Sequence, residues 1–213
     1  PNRSRFWIKK CVRPHRETLK SFDLVDYQFE FTTVAIEKLK IQEFQVKFMF
    51  EDYEDEIGEL NCNFSIKKLQ INFYFEDKPL TNACHKVIES CKGVENLEFL
   101  NYFDSISKEA LQIVSINMKN LKHLTFYESK NLYHSMTFES LESLEIKKIL
   151  TKDDHKSWIS LAACCPKLKK IKFTHVRNKD KNFSISPSDL KKLLKTCESL
   201  EELYIGAYFE ITE

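Results

Sequence analysis

The 213-residue chain carries 33 Lys plus Arg against 32 Asp plus Glu, a net charge of +1, so it lacks the basic excess that sequence-independent binding to phosphate backbones requires. With 42% hydrophobic and 31% charged residues the composition is that of a folded domain rather than a disordered one. Only three glycines leave little material for phosphate-cradling loops or a dinucleotide fingerprint, and nucleotide chemistry is not expected.

At the N-terminus, Pro1 to Lys10 is basic but has no apolar run, so no signal peptide is predicted. A chain that starts at Pro1 is expected to be a fragment of a longer one, with residues 1–15 as a capping segment whose Phe6, Trp7 and Ile8 cover one end of the fold. Residues 157–166 form the longest stretch free of Asp, Glu, Lys and Arg. That is about half a membrane span, so no membrane partner is predicted.

Beyond the cap, one six-residue pattern recurs: apolar, two free positions, apolar, one free position, apolar. It reads at Leu19-Phe22-Leu24, Ile36-Leu39-Ile41, Ile66-Leu69-Ile71 and Val94-Leu97-Phe99. It reads again at Leu121-Leu124-Phe126, Leu141-Leu144-Ile146, Leu168-Ile171-Phe173 and Leu200-Leu203-Ile205. The last three positions of each copy alternate as in a short strand with one buried face. A strand this short cannot bury that face alone, so about eight copies are predicted to stack within a single domain covering residues 1–213.

Phe44, Val46, Phe48 and Phe50 alternate as a further strand, which either extends the motif at Ile36 or lies beside it. The acidic run from Glu51 to Glu59 then reads as a solvated loop. Helical periodicity fills the longer spacings: Thr81 to Cys91, Ser107 to Met118, His155 to Cys165, and a segment opened by Ser186-Pro187-Ser188-Asp189. The stripe of this last helix is Leu190, Leu193, Leu194 and Cys197, so Leu194→Ala is expected to cost roughly 2 to 5 kcal/mol. Strand and helix in alternation with short links imply parallel strands. The links after Leu24 and Phe126 have no room for a full helix.

Seven cysteines, with no Cys-x-x-Cys pair, favour a reducing compartment, cytoplasmic or nuclear, over a disulfide framework. Cys91, Cys165 and Cys197 each stand three residues before a motif, as does Met118, which suits a soft apolar side chain packed under the next strand. The six histidines show no zinc spacing, and Cys84-His85 has no second ligand pair spaced to join it. No nucleophile elbow or phosphate loop is present, so neither an enzyme nor a cofactor is expected.

Cys91-Lys-Gly-Val94-Glu-Asn-Leu97-Glu-Phe99, Cys165-Pro-Lys-Leu168-Lys-Lys-Ile171-Lys-Phe173 and Cys197-Glu-Ser-Leu200-Glu-Glu-Leu203-Tyr-Ile205 resemble the cysteine-containing leucine-rich repeat. Repeats of this type are typical of F-box leucine-rich-repeat proteins. The resemblance covers roughly residues 15 to 207, and the Arg5-Phe6-Trp7 region is similar to the stretch after an F-box. It departs from the family where the usual Asn or Cys just past the strand is replaced by Tyr27, Phe44, Tyr74, Tyr102, Ser129, Ile149, Val176 and Tyr208. Apolar packing is expected to replace the usual side-chain ladder there.

The fold class implied is α/β: an open leucine-rich-repeat horseshoe, with parallel strands on the concave face and helices or turns on the convex face. Residues between the apolar positions would then face the concave side. They make the candidate binding residues Lys68, Gln70, Glu98, His123, Thr125, Tyr127, Glu145, Lys147, Lys170, Lys172, Glu202 and Tyr204. The resemblance implies a protein-recognition module, the substrate-binding part of an F-box protein in a cullin-RING ubiquitin ligase. The partners would be a target protein on the concave face and a Skp-type adaptor held by an F-box outside this chain. The alternatives are a scaffold or inhibitor unrelated to ubiquitination, and an extracellular recognition domain, for which only the sequons at Asn2, Asn63 and Asn182 speak.

Overall fold

A computed structural model describes residues 20–24, 41–48, 65–73, 82–101, 106, 108–127, 136–147, 154–174, 183–185, 187–205 and 209–211. The 1–15 cap, the acidic run, the asparagines of the three sequons and most of the positions just past the strands lie outside the described residues.

In chain order the elements are β1 (Ser21–Leu24), β2 (Glu43–Phe48), β3 (Lys68–Phe73), α1 (Asn82–Ser90), β4 (Asn96–Asn101), α2 (Lys108–Asn117) and β5 (His123–Tyr127). They continue with β6 (Ser143–Lys147), α3 (Asp154–Ala163), β7 (Lys170–Thr174), β8 (Phe183–Ile185), α4 (Pro187–Thr196), β9 (Glu202–Ile205) and β10 (Phe209–Ile211). Eight strands form one open sheet in the order β1-β2-β3-β4-β5-β6-β7-β9, every pair parallel. β8 and β10 form a separate parallel pair.

The sheet register repeats the sequence pattern. Leu69 stands opposite Leu97, and Leu124, Leu144, Ile171 and Leu203 form successive partners across β5, β6, β7 and β9. Along β5, β6 and β7 exposure alternates, with the apolar side chains buried and their neighbours on the opposite face.

Backbone bonds at the strand starts hold this register. The Lys67 carbonyl accepts N–H bonds from Glu95 and Asn96, both at 2.9 Å. Glu95 accepts from Lys122 at 2.8 Å and His123 at 2.9 Å, and Lys169 accepts from Glu201 at 2.7 Å and Glu202 at 2.9 Å. Just upstream, a turn repeats: Leu121, Leu168 and Leu200 each donate to the carbonyl three residues back, on Met118, Cys165 and Cys197, at 3.1 Å. The side chains of Cys91, Met118, Cys165 and Cys197 are buried beneath these turns. Phe138 fills the same place before β6, where the described part of the link (136–142) contains no helix.

Among the described residues, four helices cover the apolar side of the sheet. α1 buries Cys84, Val87 and Ile88, and α2 buries Ala110, Leu111 and Val114. α3 buries Ile159, Leu161 and Ala162. α1 packs beside α2 and α3 beside α4. At the centre of the core are Phe99, Phe126 and Phe173, each at most 2% exposed.

Two expectations are corrected. The second repeat is not framed on Ile36-Leu39-Ile41. Ile41 occupies the first apolar position, Phe44 pairs with Leu69 and Val46 with Ile71, so Phe44 is a buried strand residue rather than a turn residue. The competing frames overlap, and the bonds from Gln42 and Glu43 to the Lys20 carbonyl select this one. Second, Leu194 is not a core residue. It is 50% exposed while Leu193 is 1% exposed, because adjacent helix positions diverge by about 100° and only one can point at the sheet.

Candidate functional site

The register gathers all twelve predicted residues on one sheet face. β3 supplies Lys68 and Gln70, β4 Glu98, and β5 His123, Thr125 and Tyr127. β6 supplies Glu145 and Lys147, β7 Lys170 and Lys172, and β9 Glu202 and Tyr204. They stand in transverse rows: Gln70, Glu98, Thr125, Glu145, Lys172 and Tyr204 follow one another across six strands. The corrected second repeat adds Gln45 to this row.

These side chains are joined into a network. Lys147 donates to Glu98 at 2.5 Å, reaching from β6 past β5 to β4, with about a quarter of each side chain exposed. Its ammonium also lies 5.8 Å from the centre of the Tyr127 ring. Partial burial pulls the Lys147 pKa down, but the Glu98 hydrogen bond and the Glu98 and Glu145 charges outweigh it and hold the pKa above the usual lysine value. Glu145 in turn is 3.1 Å from Lys172 and accepts a hydrogen bond from Thr174 at 3.0 Å. Lys172 lies 5.9 Å from the Tyr204 ring, and Lys170 pairs with Glu202. The outcome is a face of fixed, mutually neutralised charges, with Tyr204 52% exposed at one end.

A second charged row escaped the sequence reading. The residue after each motif's first apolar position reads Lys20, Gln42, Lys67, Glu95, Lys122, Glu142, Lys169 and Glu201. Glu95 bridges Lys122 at 2.8 Å and Lys67 at 3.4 Å, and Glu142 meets Lys169 at 3.2 Å. Hydrogen bonds from Lys122 and Lys67 hold the Glu95 carboxyl below its ordinary pKa. The signal was the alternating sign at one motif position, visible only once the copies are stacked.

Among the described residues no two cysteines are joined in a disulfide. Burial raises the pKa of Cys84, Cys165 and Cys197, which keeps these thiols protonated and poorly nucleophilic. Cys164 and Cys165 donate to the carbonyls of Ser160 and Leu161, each at 3.2 Å. Among the described residues no group of three or more His, Cys, Asp or Glu could hold a metal ion, and no helix is long and apolar enough to cross a membrane.

Among the described residues, the buried Nε2 of His85 on α1 finds no hydrogen-bond partner. Burial lowers its pKa, against the opposing pull of the Glu89 and Glu109 charges. The folded state therefore favours neutral His85 while the unfolded chain takes up a proton near pH 6.5. Its stabilising contribution is complete above that pH and falls as the pH drops through the histidine range. Melting temperatures at pH 7.5 and 5.5 are expected to show this loss, and His85→Gln to reduce the difference. An equal drop in both proteins would remove His85 from the effect.

No protein-family model matches the chain, and no curated protein matches it significantly.

Proposed function

We propose that the chain is a leucine-rich-repeat recognition module that holds a protein partner on its polar sheet face, the concave side of a horseshoe. The observation that carries this reading is the placement of twelve non-consecutive polar and aromatic side chains, from six strands, in ordered rows on one face. Consecutive parallel strands in register, five of them (β4, β5, β6, β7 and β9) preceded by the same turn, are what a stacked repeat with this motif produces.

The surface chemistry suits a polypeptide. Its charges are of both signs and already paired, which gives a phosphate backbone no continuous basic track. A protein partner can instead use the tyrosines, whose rings supply area and whose hydroxyls supply polarity. Tyr204→Ala is expected to leave the far-UV circular dichroism spectrum and melting temperature unchanged and to weaken partner binding about tenfold or more. Unchanged affinity would place the contact elsewhere.

On the resemblance of its cysteine-containing repeats, the module serves as the substrate receptor of an F-box protein in the cytoplasm or nucleus. It does no chemistry itself, and ubiquitin transfer belongs to other subunits. Co-purification of the full-length gene product with a Skp-type adaptor tests this assignment. Failure to capture the adaptor overturns the ligase role and leaves the recognition role to be judged by the Tyr204 variant.

A further inference from the structure

Two features of the last strand differ from its neighbours. In β7 the inward side chains Ile171 and Phe173 are 1% and 2% exposed, whereas their β9 partners Leu203 and Ile205 are only partly buried, as is Leu200 at the strand start. The backbone ladder also stops here: the Lys169 carbonyl accepts two N–H bonds from Glu201 and Glu202, but among the described residues no N–H reaches the Glu201 carbonyl. β9 and β1 are the two edges of the described sheet. An open parallel edge with half-covered apolar side chains is a template for one more strand.

Charge narrows the occupant. Residues 196–213 contain Glu198, Glu201, Glu202, Glu210 and Glu213 and no Lys or Arg. Residues 1–20 contain Arg3, Arg5, Lys9, Lys10, Arg13, Arg16 and Lys20 against Glu17 alone. The alternating row of strand starts ends on Lys169 and Glu201 at one edge and begins with exposed Lys20 at the other. Set after Glu201-x-Leu203-x-Ile205, the segment Lys20-x-Phe22-x-Leu24 would continue both the sign alternation and the apolar register.

We infer that the β9 edge is an interface for a second copy of this chain, which adds its β1 edge head-to-tail, Lys20 beside Glu201. The two edges differ, so the contact is heterologous and builds open chains, or rings where its rotation closes. Association grows with concentration. This interface uses the backbone edge of β9 rather than the polar side chains, and it does not depend on the proposed function.

Sedimentation velocity on the 213-residue chain over a range of concentrations tests the inference. The wild-type chain is expected to form dimers and longer species as concentration rises. Glu201→Lys and Lys20→Glu are each expected to weaken association about tenfold, because a pair of opposite charges becomes a pair of like charges. An equimolar mixture of the two variants restores association, since every edge again meets its opposite. Circular dichroism spectra matching wild type establish that both variants fold. Raising NaCl from about 0.05 to 0.5 M weakens wild-type association without any substitution, by shortening the screening length. A wild-type chain that stays monomeric overturns the inference, as does association insensitive to both charge reversals or a mixture that fails to recover it.

Discussion

Replacing Phe126 by Ala is expected to lower the free energy of unfolding by roughly 3 to 5 kcal/mol. Phe126 is 1% exposed, on β5 in the middle of the sheet, and stands opposite Ile146. Truncation removes the transfer energy of an aromatic ring and leaves a void on a strand whose pairing with β6 runs through Phe126, while its pairing with β4 reaches the adjacent Thr125. Residues 136–142 of the link from β5 to β6 contain no helix that could slide into the space, and Met136 and Phe138 there are themselves 3% exposed. A domain of this size has about 5 to 15 kcal/mol of stability in total, so the variant should lose a large share of it. Urea denaturation monitored by circular dichroism measures the effect through the midpoint at constant slope. A loss below about 1 kcal/mol would show that the core collapses around the missing ring.

Leu193→Ala and Leu194→Ala should behave very differently. The first is expected to cost about 2 to 5 kcal/mol and the second less than about 0.5 kcal/mol. Both are leucines in the same turn of α4, with the same helix propensity, so backbone terms cancel in the comparison. What differs is burial, 1% against 50% exposed. Equal losses at the two positions would mean that α4 sits in another rotation on the sheet. A larger loss at Leu194 would restore the stripe read from sequence.

That pair also shows where sequence reading reaches its limit. Leu190, Leu193, Leu194 and Cys197 satisfy helical periodicity equally well as one stripe, and periodicity sets the stripe only to within the angle between adjacent residues. Which edge of the stripe meets the sheet depends on the tilt of the helix against α3, a packing matter. The second repeat failed for a related reason. Ile36-Leu39-Ile41 and Ile41-Phe44-Val46 match the same template, and nothing local separates them. The ladder does, because only the later frame places Gln42 where its carbonyl can accept from Lys67 at 2.7 Å and Lys68 at 2.9 Å. In the seven other repeats, each with a described neighbour on one side or both, the strands lie where the motif puts them.

Membership of the polar face was likewise legible, since alternation along a strand assigns each residue to one side. The contacts within it were not. Glu98 and Lys147 are 49 residues apart in sequence and two strands apart in space, and only side chains long enough to cross Thr125 and Tyr127 can meet. The same holds for the Lys–Glu row at the strand starts, whose signs alternate in sequence but whose pairing depends on the stacking distance.

By itself, then, the sequence determined the repeated strand, its buried face, the helices between copies and the side chains that share a surface. These follow from periodicity, which is a local property. Tertiary structure alone decided the frame of the second repeat, the rotation of α4, the charge pairs across strands and the half-open edge at β9. Each depends on which backbone groups are left to bond and which surfaces remain to be covered once the neighbours are in place.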